Sequence, residues 1–279
     1  MQLPRPWIVA AALALAGGVA APPADAGRLF ENTGENASVT TRDKPAWTGG
    51  LYKEDGNTHF INRIEGRGQR PSIRDSPRLS GQKSIRARVS RGGNDKKSRS
   101  EIYLVNPNQW YAGQTRYIGG AFYLPKWVDL HKDKWVIPLQ VQQGPVGPIV
   151  AIELKPKTND RNQFEWILSR RWGKGDKDGS DGYKNHRLGF LEKGKWHRFI
   201  LKIKANHTGG GECRLYYKDG SRWKTISTYS GKLGNNWKNA SNNDIDVHYG
   251  VYCKGGQHDD IEIFFDNMRF STSFDGAKP

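Results

Sequence analysis

The chain has 279 residues and carries 44 lysines and arginines against 28 aspartates and glutamates, which gives a formal net charge of +16. Only 35% of its residues are hydrophobic, and this excludes a protein with several membrane spans, because each span needs about 20 consecutive apolar residues. Two cysteines are too few for a disulfide-rich scaffold or a cysteine-rich zinc module.

The N-terminal segment, residues 1–26, has the pattern of a secretory signal peptide. A positive start at Met1–Arg5 precedes an apolar run at Trp7–Ala21 and a small-x-small cleavage site at 24–26. The apolar run is shorter than a membrane span, so a short N-terminal anchor is the less favoured alternative. We therefore predict a secreted or periplasmic protein with one domain at 27–279, since no change of composition divides that part.

Short runs of alternating apolar and polar residues recur along the chain, separated by glycine and proline. In chain order these runs are Ile85–Val89, Arg99–Leu104, Val136–Gln142, Phe199–Lys204, Asp246–Lys254 and Ile261–Phe265. Period two is the signature of half-buried strands, and many short strands with turns between them indicate a sandwich or a barrel. In the third run, Ile137, Leu139 and Val141 are predicted to share one side, opposite Gln140 and Gln142. The sequence therefore predicts an all-β protein.

Three of these runs place polar side chains together on one strand face. The residues that share these faces are Arg99, Glu101 and Tyr103 on one run, Gln140 and Gln142 on another, and His248, Gly250, Tyr252 and Lys254 on the third. Gly250 is expected to leave room for a ligand to approach the sheet. A single polar face is usually a solvated one, whereas three such faces favour a concave polar cleft.

Other catalytic and metal-binding patterns are missing from the sequence. There is no G-x-S-x-G motif and no closely spaced pair of histidines. We interpret Asp260 and Glu262 as a strand edge rather than as the carboxylate pair of a glycosidase. The segment Arg171–Tyr183 is rich in aspartate but lacks the EF-hand pattern, so it favours a solvated loop and leaves calcium binding open. Cys213 and Cys253 could form one bridge in an exported protein.

The positive charge indicates an anionic partner. It is spread along the chain and mixed with acids, and the predicted export argues against nucleic acid. Aromatic residues make up 11% of the chain, a content that suits stacking on sugar rings. An acidic polysaccharide is therefore favoured over nucleic acid or a membrane surface. The basic residues that either line polyanion subsites or form solvated strand faces are Arg86, Arg88, Arg170, Arg171, Lys202 and Lys204.

Three of the segments described above resemble the motifs of the jelly-roll polysaccharide lyases. This group includes the alginate lyases of polysaccharide lyase family 7, the heparin lyase I-like enzymes and the glucuronan lyases. The motifs are R-S-E-I at Arg99–Ile102, Q-V-Q at Gln140–Gln142 and Y-G-V-Y at Tyr249–Tyr252. Gly119–Trp127 and Gly194–Lys204 also resemble framework strands of the heparin lyase I-like group. The segments follow the order of the family along most of the chain.

The resemblance implies a concanavalin A-like β-jelly-roll sandwich that cleaves uronate polymers by β-elimination. We also expect a monomer that requires no cofactor and has no metal site, with calcium binding left possible. In that reaction the sugar carboxylate is neutralised while a carbanion develops at C5, a task for which Gln140 and Arg99 are suited as catalytic residues. Tyr252 matches the catalytic tyrosine of the family and would take the C5 proton and protonate the leaving O4. Neighbouring cations would help it to act as a base.

The residues expected to bind the substrate are Gln142, His248, Glu101 and Lys254. Glu101 would act by orienting Arg99. The sequence departs from the family at Gln142, where the family has histidine, and at His248, where the family has lysine. An amide cannot be a general base at neutral pH, so Tyr252 would make both proton transfers, which favours β-linked glucuronate or mannuronate over guluronate. The alternative is a non-catalytic carbohydrate-binding module on the same fold.

Overall fold

The computed structural model describes residues 28–32, 38–40, 51–54, 58–91, 97–104, 110–143, 147–173, 182–235, 245–254 and 259–279. Side chains are described from residue 64 onward. The predicted signal peptide, residues 1–26, lies outside the described residues. So do the aspartates of the predicted charged loop, Asp176, Asp178 and Asp181.

Strands make up almost all of the regular structure. In the first half of the chain they are β1 (Arg28–Asn32), β2 (Ser38–Thr40), β3 (Leu51–Glu54), β4 (Thr58–Glu65), β5 (Ser72–Arg74), β6 (Ser84–Val89), β7 (Lys97–Leu104), β8 (Thr115–Tyr123) and β9 (Val136–Gln143). In the second half they are β10 (Pro148–Lys157), β11 (Asp160–Gly173), β12 (Gly182–Glu192), β13 (Trp196–Lys204), β14 (Asn206–Asp219), β15 (Arg222–Asn235), β16 (Ile245–Lys254) and β17 (Ile261–Ser271). A short 3-10 helix follows at Asp275–Ala277. The described part of the chain contains no helix of the length and apolar character that a membrane crossing requires.

The strands form two antiparallel sheets. Sheet A has the order β5-β6-β17-β8-β13-β14-β15, with β1 beside the C-terminal half of β17. Sheet B has the order β2-β3-β4-β7-β16-β9-β10-β11-β12. A short parallel pairing of β15 with β11, at Trp172 and Gly173, connects the two sheets. The fold is therefore the all-β jelly-roll sandwich that the sequence predicts.

The core lies between the inner faces of the two sheets. Rings from opposite sheets meet there, since Phe122 of β8 is 6.2 Å from Phe164 of β11 and Phe265 of β17 is 5.5 Å from Tyr249 of β16, measured between ring centroids. All four rings are buried. Alternate residues of each strand supply these contacts, and the other residues of sheet B point to its outer surface.

A bulge in β9 changes one detail of the predicted pattern. Leu139 and Val141 belong to the main core together with Val136, but Ile137 lies on the opposite face of sheet B. The register of β9 against β10 shifts between Val136 and Leu139, and Pro138, which has no N–H to donate to the ladder, lies inside that interval. The prediction that Ile137 shares a side with Leu139 and Val141 is therefore wrong.

The two cysteines are buried in different sheets and both are free thiols. Cys213 lies on β14 of sheet A and Cys253 on β16 of sheet B. Burial in apolar surroundings raises the pKa of each thiol to about 12. The bridge that the sequence left open is not formed, and β16 is held by its two neighbouring strands.

Candidate active site

The predicted site residues lie on three adjacent strands of sheet B. They are Arg99 and Glu101 on β7, His248, Tyr252 and Lys254 on β16, and Gln140 and Gln142 on β9, and their surface is called the polar face. Strand alternation turns these side chains away from the core, while Ile102, Leu139 and Val251 on the same strands point into it. The polar cluster is a consequence of period-two patterning on neighbouring strands.

Tyr252 occupies an apolar niche on the polar face. Ile137 and Ala151 pack against it, and Trp135 meets its ring edge to face at 4.6 Å between centroids. The guanidinium carbon of Arg99 lies 3.6 Å from the centroid of the same ring. Tyr252 is only 7% exposed, and its hydroxyl makes no hydrogen bond within the described part of the chain. The ring is thus enclosed by Trp135, Arg99 and two apolar side chains, and its hydroxyl has no partner among the described residues.

A chain of polar contacts connects Arg99 to Gln142. Arg99 Nη1 donates to Glu101 Oε2 at 3.1 Å, and the amide nitrogen of Gln140 donates to Glu101 Oε1. Gln142 Nε2 donates to the carbonyl oxygen of Gln140 at 3.2 Å. Gln140 has no exposed surface, whereas Gln142 is half-buried. The amide that a bound molecule meets first is therefore that of Gln142.

Glu101 is the central acid of this chain and is 1% exposed. Burial acts to raise the pKa of Glu101, but the adjacent His248, the positive charge of Arg99 and the Gln140 amide together hold the pKa below its ordinary value of 4.5. The carboxylate stays ionised in the folded protein. It holds Arg99 and Gln140 in fixed orientations.

Two residues that the sequence did not predict complete this cluster. Glu65 Oε2 lies 2.8 Å from Arg99 Nε in an ion pair, so Arg99 contacts two carboxylates. Glu65 stands opposite Arg99 on β4. The apolar residues of that strand, Phe60, Ile61 and Ile64, do not alternate, so no period-two signal marked it. Trp135 immediately precedes β9, but its contact with Tyr252 depends on the strand order.

His248 lies beside Glu101 in the floor of the polar face. Its ring packs against Tyr103 at 4.4 Å between centroids, and its Nδ1 atom is 3.9 Å from Glu101 Oε2. Neither ring nitrogen makes a hydrogen bond, although both are buried. Buried polar atoms are normally paired, so this imidazole is suited to a partner that arrives with a ligand.

The remaining predicted residues lie at opposite ends of the polar face. Gln142 of β9 lies opposite Asp246 of β16, whereas Tyr252 of β16 lies opposite Ile137 near the other end of β9. Lys254 is exposed at the end of β16. Tyr252 and Gln142 therefore lie at different levels of the sheet, and the two do not form a pair.

The structure explains the glycine at position 250 differently from the sequence analysis. A Cβ atom added to it would lie 2.2 Å from the carbonyl oxygen of Ser100 on β7, and its φ is +147°. The glycine allows β16 to approach β7 closely. It does not open space for a ligand.

Several basic residues are directed away from the polar face. Arg86 and Arg88 lie in sheet A and form ion pairs with Glu262 and Asp260, and Lys202 of the same sheet pairs with Glu212 at 2.6 Å. Arg170 is buried, with its guanidinium carbon 3.8 Å from the ring centroid of Tyr229. Arg171, another of the basic residues that were predicted to line a subsite, lies on the outer surface of sheet B, where it contacts the Tyr183 ring. Within the described ranges, no group of three or more histidine, cysteine, aspartate or glutamate side chains is arranged to hold a metal ion.

Comparison with known proteins shows what this chain is similar to. A family model described as polysaccharide lyase matches residues 34–269. A search of curated protein sequences found no match.

Solved structures that match this chain include several polysaccharide lyases. The endo-β-1,4-glucuronan lyase from the fungus Trichoderma reesei has a TM-score of 0.62 at 16% identity, covering 90% of this chain and 98% of that chain. The alginate lyase from Klebsiella pneumoniae has a TM-score of 0.48 at 10% identity, covering 86% and 95% of the two chains. The marine PL-14 alginate lyase from Aplysia kurodai has a TM-score of 0.48 at 12% identity, covering 72% and 86%. The first of these likenesses shows the fold.

Proposed function

The chain belongs to the polysaccharide lyase family, and from this premise we propose that it cleaves an acidic, uronate-containing polysaccharide by β-elimination. Glucuronan and mannuronate-rich alginate are the proposed substrates. The observation that carries this proposal is the Tyr252 ring, which is fixed between Trp135 and the Arg99 guanidinium with its hydroxyl unpaired in the described part of the chain.

In the proposed reaction, Tyr252 acts as both base and acid. Its phenolate oxygen takes the proton from C5, the C4–O4 bond breaks, a C4–C5 double bond forms, and the same proton is returned to the leaving O4. The positive charge of Arg99 on the ring face stabilises the negative charge of the phenolate. One residue for both transfers suits a proton and a leaving group on the same side of the sugar ring.

The uronate carboxylate is neutralised by donors on the polar face. Arg99, which lies against the Tyr252 ring, is the proposed contact at the reacting sugar. The half-buried amide of Gln142 is the proposed contact of the polymer at the other end of the polar face, with His248 between the two. Gln140 has no exposed surface, so we assign it to positioning Gln142 rather than to direct contact. Lys254 attracts the polymer from the exposed end of β16.

A non-catalytic carbohydrate-binding module is the second candidate. It is favoured by Gln142, whose amide already donates to Gln140 and cannot abstract a proton. The two candidates differ in whether a bound polyuronate is shortened.

Ultraviolet absorbance of the new double bond tests the proposal. Mature protein is mixed with glucuronan, mannuronate-rich alginate, guluronate-rich alginate, heparin and hyaluronan. The wild type should raise the absorbance on glucuronan or mannuronate-rich alginate, Tyr252→Phe should abolish the rise while binding persists, and Tyr123→Phe in sheet A serves as the matched control. Retained turnover in Tyr252→Phe removes Tyr252 from the mechanism. A flat trace with wild type on every polymer, together with binding, supports the module instead.

We also propose that the mature protein is an exported monomer with a single domain over residues 27–279. N-terminal sequencing of the exported protein should find cleavage after Ala26. Sedimentation should give the mass of one chain, and a larger mass would contradict the monomer.

A further inference from the structure

A second basic position lies on the outer surface of sheet B, two strands away from Gln142. Arg171 of β11 pairs in register with Tyr183 of β12, and its guanidinium carbon lies 5.0 Å from the centroid of the Tyr183 ring. Its Nη1 atom lies 3.1 Å from the place where a Cβ atom of Gly147 would be. Gly147 precedes Pro148, which pairs with Gln142. The Arg171 guanidinium therefore reaches toward the Gln142 end of the polar face.

Arg171 differs from Arg99 and Arg187 of the same sheet in its electrostatic surroundings. Arg99 contacts Glu65 and Glu101, and Arg187 contacts Glu165 at 3.4 Å. Arg171 makes no ion pair with a carboxylate among the described residues. Its planar fork of donors matches both oxygens of a carboxylate. This half-buried guanidinium can therefore take a carboxylate from a ligand without first breaking an ion pair to any carboxylate of the described residues.

Tyr183 holds Arg171 in place. The Tyr183 hydroxyl donates to Glu153 Oε1 at 2.9 Å, and Glu153 is itself buried on the adjacent strand β10. Burial and the Glu153 carboxylate raise the pKa of Tyr183, so its hydroxyl remains a donor. Tyr183 is 45% exposed, which leaves part of the aromatic ring available to a sugar. The Tyr183 ring thus lies beside the Arg171 cation, and its hydroxyl is held by Glu153.

The surface between these two residues and the proposed catalytic residues is continuous. Ala151 of β10 pairs with Gln140 on one side and with Ser169 of β11 on the other. Ser169 and Arg171 are alternate residues of one strand and point to the same side. Adjacent strands are about 4.8 Å apart, so β9 and β11 are separated by about 10 Å, a distance that a short oligosaccharide spans.

We propose that Arg171 and Tyr183 form a distal subsite that binds the carboxylate of a second uronate residue of the polymer. The proposal rests on the proposed function, because it names a further contact of the same substrate. Arg171 contributes to binding equally before and during the reaction, since it lies away from Tyr252. It therefore sets the affinity for long uronate chains and the preference for charged over neutral polymer.

Kinetics of the full mature protein test this subsite. Arg171→Gln should raise KM for the polyuronate about tenfold, which corresponds to about 1.4 kcal/mol, with kcat unchanged. Arg187→Gln, an exposed arginine on the neighbouring strand, is the matched control and should leave KM unchanged. Arg171→Lys should recover part of the affinity, and it replaces Arg171→Gln if that variant fails to fold. Equal KM values in Arg171→Gln and Arg187→Gln, or a fall in kcat at constant KM, overturn the proposal.

Calorimetric binding separates this proposal from the proposed reaction. Saturated uronate oligosaccharides are titrated into Tyr252→Phe with and without Arg171→Gln, and the carboxyl-reduced oligosaccharide is the neutral probe. A tenfold loss of affinity that is confined to the charged probe supports the subsite even if the wild type shows no turnover. Equal loss for both probes, or no loss, overturns the subsite even if the wild type is an active lyase.

Discussion

The guanidinium carbon of Arg99 lies 3.6 Å from the centroid of the Tyr252 ring, and the same guanidinium forms ion pairs with Glu65 and Glu101. One cation therefore serves two purposes, since it compensates buried acids and covers the face of the proposed catalytic ring. The cross-strand pairing of these two residues on β7 and β16 fixes the contact.

Removal of Arg99 should destabilise the protein strongly. Arg99→Met removes one of the groups that stabilise the buried Glu101 carboxylate, a change that costs about 3 kcal/mol or more in the free energy of unfolding. Urea unfolding measures this loss. Arg187→Met breaks an ion pair whose arginine is exposed and should cost about 0.5 kcal/mol. The double variant Arg99→Met with Glu101→Gln should recover part of the loss, and strict additivity would contradict the coupling.

The low pKa of Glu101 gives a stability that depends on pH. Because the folded-state pKa is below the ordinary value of 4.5, the carboxylate stabilises the protein above about pH 4.5, and this contribution is lost as the pH falls through the folded-state pKa. Unfolding free energies measured across this acidic range should decline more steeply for wild type than for Glu101→Gln. The same slope in both proteins would show that Glu101 does not couple to folding.

His197 should add a second acid-sensitive step at higher pH. Burial lowers its pKa below the ordinary value of 6.5, so the unfolded chain binds this proton more readily than the folded protein does. Stability should therefore fall as the pH decreases from about 6.5. The ring is fixed by contacts to the Tyr217 hydroxyl at 3.1 Å and the Glu192 carbonyl at 2.8 Å. His197→Gln should flatten the pH dependence in this range, and His186→Gln, at an exposed position, should not.

Much of the fold follows from local patterns, and the exceptions have physical causes. The six alternating runs of the sequence all lie in strands, namely β6, β7, β9, β13, β16 and β17. Strand β10 was missed because consecutive residues from Ile149 to Leu154 are buried, so both of its faces are covered and no alternation exists. Ile137 was assigned to the wrong face because a bulge at Pro138 interrupts the period.

The site was predictable to the extent that it depends on single strands. Period-two alternation predicted which side chains of each strand share a face. Arg99 and Glu101 share a face in the structure as predicted, and their side chains form a hydrogen bond. The contacts of Arg99 with Glu65 and of Tyr252 with Trp135 depend on which strands are neighbours in the sheet. The sequence of a single strand does not show which strands lie beside it. The burial of Gln140 beneath Gln142 was missed for the same reason.

Gly250 should not tolerate a side chain. In Gly250→Ala the new Cβ atom would lie 2.2 Å from the Ser100 carbonyl oxygen, so β16 must move away from β7, the strand that carries Arg99 and Glu101. We expect a loss of about 3 kcal/mol in unfolding free energy, together with loss of activity. Gly220→Ala is the control, because Gly220 also has a positive φ but faces open space, and it should cost about 1 kcal/mol. Equal losses in thermal unfolding would argue against the contact with β7.

Gln142 tests how the polar face holds the polymer away from the proposed base. Gln142→Met keeps the approximate side-chain volume but removes the half-buried amide that the polar face offers to a carboxylate. Because Gln142 lies at the opposite end of the polar face from Tyr252, KM for the polyuronate should rise about tenfold, while kcat and the unfolding free energy change little. Gln163→Met on β11, where the amide oxygen accepts from Lys157 at 2.8 Å, is the matched control and should leave KM unchanged. A fall in kcat at constant KM would mean that the amide acts on the sugar that reacts at Tyr252.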